Sequence, residues 1–183
     1  LAVVFAVAIN TFVLVNAHVP SASMENNIMT ETGDCTEAQR VICENKPIMF
    51  YVHGGAFGWG GTSDPLYNGK FIIREHNDVI VVTCNYRVNL MGFADFSKVP
   101  GGENYPDAGY LGVLDIIQGL KWVKQNAESF GGDPDNVTIF GESAGGGIVS
   151  SLMTIDEAQG LFKRVIAESG SIALTYSRKE AAY

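Results

Sequence analysis

Four short β-forming runs punctuate the chain, each ended by glycine or a polar turn. They are Ile48-Met49-Phe50-Tyr51-Val52, Val79-Ile80-Val81-Val82-Thr83-Cys84, Val137-Thr138-Ile139-Phe140 and Arg164-Val165-Ile166-Ala167-Glu168. The first two are continuous rather than alternating, the pattern of strands covered on both faces. Between the second and third runs, Leu111, Leu114, Ile117 and either Leu120 or Lys121 recur at helical spacing. That face continues through Trp122 and Val123, and predicts the strongest helix of the chain, with Asp107 or Tyr110 near its start. A short helix is expected from Asn68 to His76. Gly131-Gly132-Asp133-Pro134 predicts a turn ahead of a strand at 137–140. The glycine-rich segment 144–153 reads as a poor helix, because each mid-helix glycine costs roughly 1 kcal/mol. Its small residues instead predict close packing against a sheet. Strands alternating with helical stretches predict an α/β fold with a mostly parallel central sheet.

Residues 16–47 carry no sustained period and read as a boundary or loop. Before them, residues 1–15 are almost continuously apolar, broken by Asn10. Two readings stay open: a targeting remnant, or one or two buried strands. The stretch lacks a basic leading segment and falls short of the roughly 20 apolar residues that cross a bilayer comfortably. Localisation accordingly stays open between secreted and cytoplasmic. The domain reading is an apolar segment at 1–19 followed by a partial α/β domain at 20–183.

The 183 residues, 46% of them hydrophobic, suffice for one sizeable core. Twelve Lys and Arg against twenty Asp and Glu give a net charge of −8, and no basic cluster exceeds two adjacent residues. That argues against nucleic acid as a partner. Of three cysteines, Cys35 and Cys43 are spaced to close a short loop, while free or buried thiols are the plainer reading.

The chemistry concentrates at Gly141-Glu142-Ser143-Ala144-Gly145. This G-x-S-x-G follows directly on the β-forming run Val137–Phe140, the setting of a strand–turn–helix nucleophile elbow. Glycines on either side leave room for the chain to cross, and the turn sets Ser143 at a helix N-terminus, where unpaired N–H groups favour developing negative charge. A structural serine turn is the alternative. His53-Gly54-Gly55-Ala56-Phe57, directly after the first strand, offers consecutive backbone N–H groups for an oxyanion; as a plain flexible turn it would do nothing chemical. Ala144, following the nucleophile, adds a further N–H. No phosphate-binding G-x-x-x-x-G-K-S/T pattern is present, and 131–136 lacks the spaced carboxylates of a calcium loop. No metal and no cofactor are expected.

The base is the difficulty. His18, His53 and His76 all precede Ser143, and none follows it in the sequence. The His53 ring is expected to hydrogen-bond atoms of its own loop rather than to serve Ser143. Glu142 is expected to point into the sheet interior or the pocket floor.

These residues resemble the type-B carboxylesterase family, which includes carboxylesterases and cholinesterases. The likeness is carried by IMFYVHGGAFGWG at 48–60, VIVVTCNYRVNLMGF at 79–93, the stretch 104–146 ending in NVTIFGESAGG, and LFKRVIAESGS at 161–171. GDC at 33–35 is similar to the family's segment before an early cysteine. The resemblance implies an α/β-hydrolase, here in truncated form, with Ser143 as nucleophile and the N–H groups of Gly55, Ala56 and Ala144 as oxyanion hole. Ala56 stands where many members carry glycine. Glu142 matches the acidic residue before the nucleophile, and Asn85-Tyr86-Arg87 matches a signature that supports the fold around the gorge. The family's acid and histidine lie after the nucleophile. Of the later glutamates, Glu157, Glu168 and Glu180, none sits in a context that assigns it.

The implied reaction is hydrolysis of a small-molecule carboxylic ester through an acyl-enzyme, with residues 1–183 expected to be incomplete on their own. A catalytically inactive cholinesterase-like binding module, or a truncated non-functional product, is the alternative. Oligomeric state is left open.

Overall fold

The four runs form one sheet, the first three with buried positions and the last, Arg164–Glu168, mostly exposed. A computed structural model describes residues 45–170 apart from 77, together with 172. The apolar segment 1–19, His18, Cys35, Cys43, residues 33–35 and Glu180 lie outside the described residues.

The strands are β1 (Lys46–Val52), β2 (Ile80–Thr83), β3 (Gly132–Glu142) and β4 (Arg164–Glu168), and all neighbours run parallel in the order β2-β1-β3-β4. From β1 the chain moves outward to β2. It then returns past β1 to lay down β3 and β4 on the other side. The strand order therefore reverses between β1 and β3, and the crevice beyond the carboxyl ends of such a pair is where open α/β sheets bind ligands.

Register explains which residues make the core. Ile48 pairs with Ile80 and Val137, and Phe50 with Val82 and Ile139, so these side chains share one face. On that face they join Ile116, Ile117, Leu120 and Val123 of α3 (Leu111–Asn126) and Ile148, Val149 and Leu152 of α4 (Ala144–Leu152) in a single buried cluster. The opposite face is half-buried at Met49, Tyr51, Thr138 and Phe140. It carries α1 (Lys70–Glu75), whose lead-in Gly69 lies so near Val81 that a Cβ there would stand 2.6 Å from its Cγ1; a single turn, α2 (Leu90–Phe93), follows β2.

Two local expectations are corrected. The third strand begins at Gly132, not 137: Gly131 alone makes the turn, in the left-handed region at φ 77°, and Gly132 already pairs with Lys46. A register irregularity between Lys46 and Ile48 absorbs Asp133–Asn136, so Pro134 falls where a missing ladder N–H costs little. Segment 144–152 is a regular helix despite three consecutive glycines. Its close approach to β1 and β4 selects glycine more strongly than helix propensity opposes it. The start of α3 resolves in favour of Tyr110 as N-cap, with the Tyr110 hydroxyl donating to Asp107 Oδ1.

Candidate active site

The carboxyl ends of β1 and β3 deliver the loop 53–60 and Ser143 to the same crevice. Ser143 adopts φ 56°, ψ −119°, a conformation that only strong constraint holds for a non-glycine residue. Three contacts provide the constraint. Its N–H donates to Glu168 O at 2.8 Å, and its carbonyl accepts from Gly147 N–H at 2.9 Å. Gly141 and Gly145 meet directly beneath it: a Cβ on Gly141 would stand 2.6 Å from Gly145 C, and one on Gly145 would stand 2.0 Å from Val52 O. The helix thereby crosses the end of β1 at a distance no side chain permits. Gly170 seals the other flank, where its own Cβ would stand 2.3 Å from Gly146 C.

The loop after β1 is equally constrained. A Cβ on Gly54 would lie 3.4 Å from Ser143 Cβ and 2.9 Å from Glu142 O, so this loop backs onto the serine turn. Gly55 (φ 112°), Ala56 (φ 51°) and Phe57 (φ 60°) run through the left-handed region in succession. Gly55 O accepts from Gly58 N–H at 2.9 Å and Trp59 N–H at 3.2 Å, closing the turn. Among the described residues, the N–H groups of Gly54, Gly55, Ala56 and Ala144 have no protein acceptor. Ala56 in particular holds a conformation that costs an L-residue of order 1 kcal/mol or more.

His53 is 1% exposed and stacks on Tyr86 at 4.2 Å between ring centroids and on Tyr67 at 5.9 Å. Its Nδ1 lies 2.8 Å from Gly54 O. A carbonyl accepts and cannot donate, so Nδ1 carries the proton. Nε2 is buried with no partner among the described residues. Burial lowers the ring's pKa from its usual value, opposed by the bond to Gly54, so the imidazole is held neutral. With one nitrogen bonded to the loop and the other enclosed, His53 has no bond to Ser143. His76, an exposed helix cap behind α1, has none either. The described residues therefore bring Ser143 no histidine.

Glu142 departs from expectation. It is exposed and not in the sheet interior. The alternation of β3 buries Gly141 on the core face and turns its neighbour outward, leaving the carboxylate beside Gly54, whose Cβ would lie 3.1 Å from Oε2. Glu157 and Glu168 are exposed as well, and none of the three forms an ion pair among the described residues.

Residues 85–87 brace this arrangement. The Tyr86 hydroxyl donates to His53 O at 2.7 Å, and Asn85 Oδ1 accepts from Thr62 N–H at 2.8 Å. Arg87 grips Asp115 through Nε at 2.7 Å and Nη2 at 2.6 Å, while its backbone N–H donates to the same carboxylate. That tie joins the segment after β2 to α3. Asp115 escaped the sequence reading, since it lies 28 residues from its partner; Gly60, at φ 114°, was seen only as part of a glycine-rich loop. The repeated glycines at 54, 55, 58 and 60 were the one signal that this loop is crowded.

A sequence profile described as the Carboxylesterase family matches residues 27–182. The chain is 47% identical over 139 residues to the para-nitrobenzyl esterase of Bacillus subtilis, covering 76% of this chain and 27% of that protein. It is 44% identical over 128 residues to the cholinesterase of Mus musculus, covering 70% of this chain and 20% of the relative. Among solved structures, a Geobacillus stearothermophilus carboxylesterase superposes with a TM-score of 0.67 at 50% identity, over 72% of this chain and 28% of the other. The chain thus spans about a quarter of the length of such relatives.

Proposed function

The chain belongs to the carboxylesterase family, and from that premise we propose that its crevice cleaves small-molecule carboxylic esters through Ser143 as nucleophile. The observation that carries the reading is the packing of Gly54 against Ser143, with backbone donors on both sides and no acceptor for them among the described residues.

In this mechanism Ser143 Oγ attacks the ester carbonyl carbon. The C=O π pair moves onto oxygen, and the N–H groups of Gly55, Ala56 and Ala144 receive that charge. Collapse of the tetrahedral intermediate expels the alcohol and leaves an acyl-serine. Water then repeats the sequence and releases the acid. Donors of this kind typically contribute about 100- to 1000-fold each. They are fixed before substrate arrives, so little reorganisation opposes the reaction. A general base must take the Oγ proton, and the described residues hold none in contact with Ser143. Turnover by residues 1–183 alone is therefore proposed to be weak. Glu142 acts at most through the loop it touches.

Residues 1–183 incubated with a fluorophosphonate test the reading: the Oγ–P bond forms, P–F breaks, fluoride leaves and the hydroxyl proton passes to buffer. Intact-mass analysis should place one adduct on Ser143 and none on Ser143→Ala. Labelling that persists in Ser143→Ala would refute the assignment. An activated short-chain ester adds the second arm, in which serine-dependent turnover at ordinary enzyme rates, roughly 1–1000 per second, would refute the expectation of weakness.

A further inference from the structure

Each candidate oxyanion donor belongs to a peptide plane whose carbonyl is itself held. In a trans peptide the C=O and the following N–H point in opposite directions, and no peptide bond of the described residues is cis. Anchoring one therefore aims the other. Ser143 O is held by Gly147 N–H, which aims Ala144 N–H. Gly55 O is held by the N–H groups of Gly58 and Trp59, which aims Ala56 N–H. For Gly55 N–H the opposed carbonyl is Gly54 O, and what holds it is a side chain, Nδ1 of His53.

We propose that His53 is a positioning residue, its Nδ1–H holding the Gly54 carbonyl so that the Gly55 N–H is aimed at the oxyanion. The inference deepens the esterase reading and rests on it. Everything around the ring fixes that one bond. Tyr86 and Tyr67 stack against the ring at 4.2 and 5.9 Å, with interplanar angles of 19° and 20°. The Tyr86 hydroxyl holds the His53 carbonyl, one plane earlier in the same chain of anchors. Gly60 closes the space behind: its Cβ would stand 2.5 Å from Nδ1 and 2.8 Å from Gly54 O, wedged into the bond itself. The enclosed Nε2 has no partner among the described residues. The ring is thus held for the sake of Nδ1, since a residue kept for packing alone would be better served by an apolar side chain with no buried acceptor to leave unsatisfied.

Two substitutions separate the roles. In His53→Asn the amide Nδ2 is attached to Cγ as Nδ1 is, so the bond to Gly54 O can be remade. His53→Leu fills the space with no donor. The readout is the second-order rate of Ser143 phosphonylation by the fluorophosphonate, with folding of each variant followed by circular dichroism. His53→Asn should stay within about threefold of the parent, while His53→Leu should fall about 10- to 100-fold, the range of a misaimed donor. Equal rates for folded His53→Leu and the parent, or an equal loss in both variants, would overturn the proposal. A second measurement needs no variant. The ¹⁵N shifts of the His53 ring in the parent should report a protonated Nδ1 and a bare Nε2 throughout pH 6–8, and an Nε2–H tautomer would overturn it. If no variant, nor the parent, labels at Ser143, the esterase reading fails; the ring tautomer still decides whether His53 holds Gly54.

Discussion

Replacing Gly145 with alanine sets two effects of opposite sign against each other in α4. Helix propensity favours alanine over glycine by at most about 1 kcal/mol, the interior value, at this second position of the helix. Sterics oppose it, because the new Cβ would stand 2.0 Å from Val52 O, 2.9 Å from Val52 C and 2.9 Å from His53 O. Real Cβ atoms essentially never approach within 3.0 Å, so α4 must retreat from β1 by about 1 Å. Overpacking of this kind costs about 1–3 kcal/mol. The upper end applies, since the opposing atoms are backbone of a central strand with a fully buried residue at its end. Subtracting the propensity gain leaves a net loss of about 2 kcal/mol, or 4–8 °C in Tm for a chain of this length. Thermal unfolding followed by far-ultraviolet circular dichroism measures it. Gly109→Ala serves as control, because its nearest neighbour would be 3.8 Å away, and should fall within about 0.5 kcal/mol of the parent. A Gly145→Ala protein with Tm unchanged or raised would refute the claim that close crossing, rather than propensity, selects the glycine. Ser143 phosphonylation should slow in the same variant, since the retreat moves the serine away from the loop at 53–57.

Arg87→Lys should destabilise by about 1–3 kcal/mol in urea unfolding, because an ammonium cannot reproduce the two-pronged grip on Asp115 at 2.6 and 2.7 Å; an unchanged midpoint would refute that role. Tyr51 is pushed up to about 12, first by burial, then by Tyr67, Glu142 and Glu168. Its raised value means stability that is complete below pH 10 and lost as pH climbs toward 12, so Tyr51→Phe should move the alkaline unfolding midpoint upward. His53 carries the opposite sign: its lowered pKa gives stability present above about 6.5 and lost as pH falls below that value. His53→Asn should accordingly flatten the acid limb of the unfolding curve. Cys84, 1% exposed and with its thiol pKa raised by burial, should react with a disulfide reagent only after unfolding.

What the sequence made legible followed local periodicity. The runs at 48–52, 79–84 and 164–168 became β1, β2 and β4, and the helical face from Leu111 became α3. β1, β2 and α3 were readable because burial on a given face demands apolar residues at the spacing of its own backbone, whereas β4 is mostly exposed and was legible from its β-branched Val165 and Ile166 alone. What escaped was set by contacts between distant segments. The small residues after Ser143 did announce a close crossing, although helix propensity argued against their helix; what no residue near Gly145 names is the partner, Val52 O. Glu142 was misplaced for a different reason: Val137, Ile139 and Gly141 alternate onto the buried face and turn Glu142 outward, a parity already present in the run 137–140 but not extended to its neighbour. The Arg87–Asp115 grip joins residues whose separation along the chain carries no period at all.

The strain at Ser143 now has a mechanical account. A non-glycine residue at φ 56° persists only when its neighbours leave no alternative, and here the neighbours come from three strands. β3 leads into the turn, β4 holds the Ser143 N–H through Glu168 O, and β1 limits the following helix through Val52 O. The loop that faces Ser143 is constrained by the same logic, since every carbonyl from His53 to Gly55 is bonded and each following N–H has no acceptor among the described residues. Donors and nucleophile are thus oriented by one set of anchors rooted in the sheet. A disturbance at either end, at Gly145 or at His53, should reach the serine's reactivity through the backbone, without changing any group that would touch the ester.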